Sequence, residues 1–138
     1  MCLSLVAACA GAPHVIARDA AGPQRNDLEA LLAAYPLPPG QNLRVVRLSG
    51  DDAMSVHLAQ IRDRESPHLH ATHDLTVTLL RGHGELHLAG EIREMHCGDV
   101  AIIPRATPHY FVNAGSTPAV AFVTFAPSYD GTDQVPVQ

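Results

Sequence analysis

GDVAIIPRATPHYFVN, residues 98–113, decides the fold. Gly98 and Asp99 open an apolar run, Val100-Ala101-Ile102-Ile103, which Pro104 stops. A second strand-like run starts at His109 and finishes at Asn113. Short apolar runs punctuated by proline and glycine are the pattern of an all-β chain. The histidine that opens the second run has counterparts upstream, in PHLHATHD, residues 67–74. His68 and His70 are one residue apart, so on a strand they share a face, about 6–7 Å apart at Cα for a rise of ~3.3 Å per residue. Two such imidazoles converge readily on one divalent ion, and His109 from a distant strand can close the site. Histidine supplies 9 of 138 residues, and four of the nine lie in these two segments.

The same alternation continues outward. Candidate strands are 43–48, 55–61, 67–71, 74–81, 85–88, 91–95, 99–103, 109–113 and 119–126, with tight turns at Gly82-His83-Gly84 and Ala89-Gly90. In 74–81, Leu75, Val77 and Leu79 share one face. Strand 119–126 is apolar on both faces, which suits a strand between two layers or at a dimer contact. Ahead of the strands a helix is expected from Asn26 as N-cap, with Glu29 as in a capping box and Pro36 as its stop. Leu28, Leu31, Leu32 and Tyr35 form its apolar stripe. The chain therefore divides into a leader and linker (1–25), a short helix and proline-rich connection (26–42), a barrel (43–130) and a C-terminal tail (131–138).

Residues 98–113 resemble the second motif of the cupin superfamily, G-x5-P-x-G-x2-H-x3-N. Gly98, Pro104, His109 and Asn113 match at every spacing, with Ala106 where the family prefers glycine. His68, His70 and Gly82 match the first motif, G-x5-H-x-H-x(3,4)-E-x6-G, but Arg62 replaces its leading glycine and Leu75 stands at its carboxylate. The resemblance implies an all-β fold, a single jelly-roll cupin barrel with a short N-terminal helix. It implies one divalent transition metal (Fe, Mn, Ni, Cu or Zn) held by His68, His70 and His109. Residue parity counted back from Gly82 turns His73 inward as the fourth ligand and Asp74 outward. One bulged residue would exchange them, and water completing a three-histidine set is the third alternative. Neutral imidazoles would leave the full charge on the ion, a Lewis acid able to lower the pKa of bound water toward ~7. His57, alternating against Val56 and Leu58, is placed at the cavity mouth beside the ligands; His83, His87 and His96 are read as solvated.

A net charge of −5 without a Lys/Arg cluster argues against nucleic acid, as do an aromatic content of 4% and the absence of Trp. No run reaches the ~20 apolar residues of a membrane span. The amino terminus is apolar and rich in small residues, and Val6-Ala7-Ala8-Cys9 resembles a bacterial lipobox, with Cys9 as the lipidated residue. That reading places the protein, lipid-anchored, on the periplasmic face of a membrane; without it the chain is cytoplasmic. No Lys or Arg precedes the apolar run. Small cupins resemble dimers, so a homodimer is expected, through the 28–35 stripe or strand 119–126. Two functions stay open: a small metalloenzyme, dioxygenase- or isomerase-like, acting on a small organic molecule, and a non-catalytic cupin that binds a small ligand or metal at the envelope as sensor or scavenger. The sequence names neither a substrate nor a catalytic residue.

Overall fold

Alternating apolar and polar side chains give most strands of this protein one inward and one outward face. The computed structural model describes residues 11–19 and 22–138; Cys9 and the lipobox-like segment lie outside the described residues. The chain separates into two compact units, Met1–Pro36 and Leu37–Gln138.

The first unit differs from the expectation of a linker. Strands β1 (His14–Asp19) and β2 (Gly22–Asp27) pair antiparallel, with Val15 opposite Asn26. Helix α1 (Leu28–Ala34) follows directly, one residue later than expected, because Asn26 is spent in the strand. Asp27 is the cap, its carboxylate accepting from the Ala30 N–H at 2.7 Å. Leu28 and Leu31 of the predicted stripe are buried.

In the second unit every expected strand appears, with ends shifted by two residues or fewer. They are β3 (Leu43–Gly50), β4 (Ser55–Ile61), β5 (His68–His70), β6 (Asp74–Arg81), β7 (His83–Leu88), β8 (Glu91–His96), β9 (Val100–Ile103), β10 (His109–Asn113) and β11 (Ala119–Ala126). An additional strand, β12 (Gln134–Pro136), lies in the segment read as a tail. Two five-stranded antiparallel sheets form, in the orders β3-β4-β11-β6-β9 and β12-β5-β10-β7-β8. This is the jelly-roll arrangement of a small β-barrel.

The inward faces build one core. Across β6 and β11 the partners are Leu75–Phe125, Val77–Val123 and Leu79–Ala121, and Ala59 of β4 lies opposite Ala121 on the other side. Leu75, Leu79, Phe125 and, from the second sheet, Leu86, Met95 and Phe111 are buried together. Burying one such side chain contributes about 1.5–3 kcal/mol. β11 is central in its sheet, and on its other face Val120 is 2% exposed while Phe122 is half-buried. Gly84 permits close approach of β7 to β10, since a Cβ there would collide with the Val112 carbonyl and the Phe111 ring. Ala89 and Gly90 both have positive φ in the two-residue turn between β7 and β8.

Candidate metal centre

β5 and β10 bring the three motif histidines together. His109 lies directly opposite His68 in the ladder, and His70 follows His68 on the same face. Ring centroids are 4.4 Å apart for His68 and His109, 5.2 Å for His68 and His70, and 5.7 Å for His70 and His109. All three are buried, and one nitrogen from each lies within 4.8 Å of the others.

The other nitrogen fixes the tautomer. His68 Nδ1 faces the Ser66 carbonyl at 2.8 Å, His109 Nδ1 the Thr107 carbonyl at 2.9 Å, and His70 Nδ1 the Asp133 carboxylate at 2.8 Å. Those oxygens only accept, so each Nδ1 carries the proton. Each Nε2 is thereby left as a bare lone pair. Three imidazole lone pairs aimed into one small space fit a transition-metal cation, and a partner carboxylate or carbonyl behind each ligand is the usual supporting arrangement. Electrostatics agree. Burial lowers the His109 pKa to about 4, helped by the nearby His68 and His70, and burial also lowers His70 despite its bond to Asp133. Both rings are neutral near neutral pH.

His73 is buried beside this set but does not join it. Its Nδ1 lies 2.5 Å from the Asp133 carboxylate and its Nε2 3.1 Å from the Ser128 carbonyl. Both neighbours are acceptors, so both nitrogens donate. Burial works against charge here, yet the hydrogen bonds that His73 donates to Asp133 and Ser128 outweigh it and raise its pKa. Asp74 faces outward, as its parity implied, and grips Arg105 through the guanidinium at 2.7 Å and the backbone N–H at 2.8 Å. Those bonds hold its pKa at about 2. Neither residue offers a free donor toward the three lone pairs.

Asp133 and Glu65 are the participants that sequence reasoning passed over. Asp133 accepts from His70, His73, the Thr72 N–H at 2.8 Å and the Thr72 hydroxyl at 2.8 Å. Burial opposes its ionisation, but these donors hold it well below the usual carboxylate range. Glu65 precedes β5; one of its oxygens accepts from the Phe111 N–H at 2.9 Å. Its other oxygen has no hydrogen-bond partner among the described residues, and the side chain lines the same cavity as the histidines. Burial raises its pKa. No spacing rule marks a carboxylate three residues before His68.

The cavity measures about 530 Å³ and is walled mainly by aliphatic and aromatic side chains, among them Leu75, Leu79, Met95 and Phe125. Its polar groups are few: the three histidines, Glu65, His57, and Arg47, Asp130 and Gln134 among them. His57 reaches Ser55 Oγ at 2.9 Å and meets Phe125 edge-on at 5.0 Å. Burial, reinforced by Arg47, lowers its pKa. It lines the cavity as expected. His83 and His96 stack on each other at 6.4 Å, and His87 stacks on Tyr110 at 4.2 Å, all outside the three converging histidines.

Known proteins are similar to this chain in sequence or in fold. An uncharacterized protein of Aquifex aeolicus is 42% identical over 98 residues, covering 71% of this chain and 80% of its own. KdgF from a Halomonas species superposes with a TM-score of 0.62 at 22% identity, over 68% of this chain and 86% of that one. Streptomyces Pac13, solved with uridine, gives 0.61 at 18% identity, over 70% and 79%. A Klebsiella pneumoniae protein with a double-stranded β-helix domain gives 0.66 at 20%, over 78% and 94%. At such identities the structures show the fold. The cupin domain family matches residues 54–125, a stretch that holds all three converging histidines. With two antiparallel sheets around a histidine-lined cavity and that match over half its length, the chain belongs to the cupin family.

Proposed function

We propose that this protein is a metalloenzyme that moves a proton on a small, largely apolar organic molecule, the isomerase-like form of the two catalytic readings. The observation that carries the metal is the convergence of three Nε2 lone pairs whose Nδ1 partners fix them as acceptors. When bound, the ion would supply Lewis acidity toward an oxygen of the molecule. Everything else is supplied by the chain. The aliphatic wall takes up the apolar body and excludes water. Glu65, pinned at one oxygen by Phe111, presents the other to the cavity, where it can take a proton from carbon and return it. Burial keeps its pKa up, as a base that must also act as an acid requires.

The test uses the full chain. Elemental analysis after expression should give about one transition metal per chain. Metal-loaded protein, incubated in heavy water with a panel of small carbonyl compounds, should catalyse deuterium incorporation seen by NMR. Glu65→Gln should keep the metal and lose the exchange by about 10²-fold or more. Metal and ligand uptake that leaves every proton in place would identify a binding protein instead.

We also propose a lipid anchor at Cys9 and a homodimer. The anchor rests on Val6-Ala7-Ala8-Cys9 alone; Cys9→Ser should release full-length protein from membranes in the native host. Leu28 and Leu31 of the helix stripe are already buried, which leaves Leu32 and Tyr35, both half-buried, as its share of a dimer contact, and β11 can contribute only through its outward face. Ile92, Val100 and Ile102, exposed on the edge strands β8 and β9, are the better candidates.

A further inference from the structure

We propose that residues 127–136 form a closure element whose docking over the cavity is coupled to metal binding, with Asp133 as the positioning residue that links the two. The proposal rests on the metal reading above. Among the three converging histidines, two are oriented locally: Ser66 and Thr107 each lie two residues before the ring they hold. His70 alone depends on a distant group, Asp133, sixty-three residues away in sequence. That group arrives on the strand pairing β12 with β5, where Gln134 lies opposite His70 and Pro136 opposite His68.

The same segment builds part of the cavity. Tyr129, Asp130, Gly131 and Gln134 line it. Tyr129 stacks on Phe125 at 4.3 Å and meets the His70 ring edge-on at 5.1 Å. Ser128 accepts from His73 through its carbonyl, and the Asp133 carbonyl accepts from the Ala71 N–H at 3.3 Å. The Asp133 carboxylate collects four donors, all from residues 70–73. Lifting the segment therefore does two things together. It removes a wall of the cavity, and it frees His70 Nδ1 from the acceptor that fixes its tautomer and its angle.

Coupling follows from that shared contact. A cation on His70 Nε2 polarises the Nδ1–H and strengthens its bond to Asp133, so metal favours the docked segment. By linkage the docked segment favours metal to the same degree. His73 has a separate part. Donating from both nitrogens, it ties Asp133 to the Ser128 carbonyl, so two points of the segment are held by one ring. It serves the latch without being a ligand.

The experiment uses the full chain and Zn²⁺ alone, with Co²⁺ as a spectroscopic probe. Hydrogen–deuterium exchange by mass spectrometry should show peptides covering 127–137 slowed about 10-fold or more by Zn²⁺ in the wild type. Asp133→Asn should bind Zn²⁺ about 10–100-fold more weakly, lose that protection, and shift the visible spectrum of bound Co²⁺. Core peptides from β4 and β11 report whether the variant is folded. Should it not fold, Thr72→Val, which removes one donor to Asp133 and leaves the histidines intact, carries the test and should weaken Zn²⁺ several-fold. Wild-type protein that binds Zn²⁺ with no change in segment exchange would overturn the coupling and leave the metal centre standing. So would an Asp133→Asn variant with wild-type affinity and an unshifted Co²⁺ spectrum. Wild-type protein that takes up neither ion would remove the metal centre and the coupling together.

Discussion

His68, His70 and His109 differ from His73 in where their second nitrogen goes, and on the proposed metal reading that difference would separate ligand from support. Alanine at any of the first three positions removes a lone pair from the set and should cost most of the bound metal. His73→Ala should retain it at reduced affinity, because only the Asp133 clamp is disturbed. Metal stoichiometry of the four variants, measured on dialysed protein, decides this; loss in His73→Ala equal to the others would make it a ligand. The neighbouring turn offers a second test. Ala106 adopts φ +59°, the left-handed region, at the place where the family prefers glycine, and its N–H donates to the His70 carbonyl at 2.7 Å. That conformation costs an alanine about 1–2 kcal/mol, while a glycine loses about 0.4–1 kcal/mol more chain entropy on folding. Ala106→Gly should therefore stabilise the protein, by about 0.5 kcal/mol on these opposing magnitudes. Chemical denaturation measures it, and a lower midpoint would refute it.

At the scale of elements, the barrel was legible because most strands alternate or run apolar between clear turn residues. Leu75, Val77 and Leu79 announced the inward face of β6, and their parity correctly set Asp74 outward and His73 inward. Parity says which face a ring is on, however, and not what it meets there. The partner of His73, Asp133, comes from sixty residues away, just ahead of a strand of three residues, Gln134-Val135-Pro136, exposed and too short to show a period. The hairpin of β1 and β2 was hidden for a similar reason: Gly22-Pro23-Gln24-Arg25 carries no apolar alternation. Glu65 precedes its strand and belongs to no motif. The packing of β7 against β10 supports a sharper prediction. A methyl group at Gly84 would meet the Val112 carbonyl, a backbone atom that cannot rotate away. Gly84→Ala should cost about 1–3 kcal/mol, read as a lower unfolding midpoint. An unchanged midpoint would mean that the two strands separate freely.

For the whole molecule, the buried imidazoles set a response to acid. In the unfolded chain His109 titrates near 6.5, and in the fold at about 4. Between those values the unfolded chain binds more protons, so stability falls as pH drops through that window. A gap of that size corresponds to about 3 kcal/mol as an upper bound. His70 and His57 are lowered in the same direction by burial. His73 and Glu65 oppose them, since both are raised and hold protons in the fold. Three lowered imidazoles against these two should leave the metal-free protein less stable at about pH 4.5 than at about pH 7. Thermal unfolding across that range tests the balance, and a flat or inverted profile would show that the two raised groups prevail.

Pro136 gives the second sheet a property that concerns neighbours rather than ligands. β12 is the outermost strand beside β5, and Val137 donates its N–H inward to the Pro67 carbonyl at 3.1 Å. Backbone groups alternate direction along a strand, so Pro136 stands where an N–H would point away from the barrel. Proline has none to offer. Another chain approaching this margin finds its hydrogen-bonding ladder broken beside the histidines. This margin of the second sheet is thereby a poorer template for an added strand.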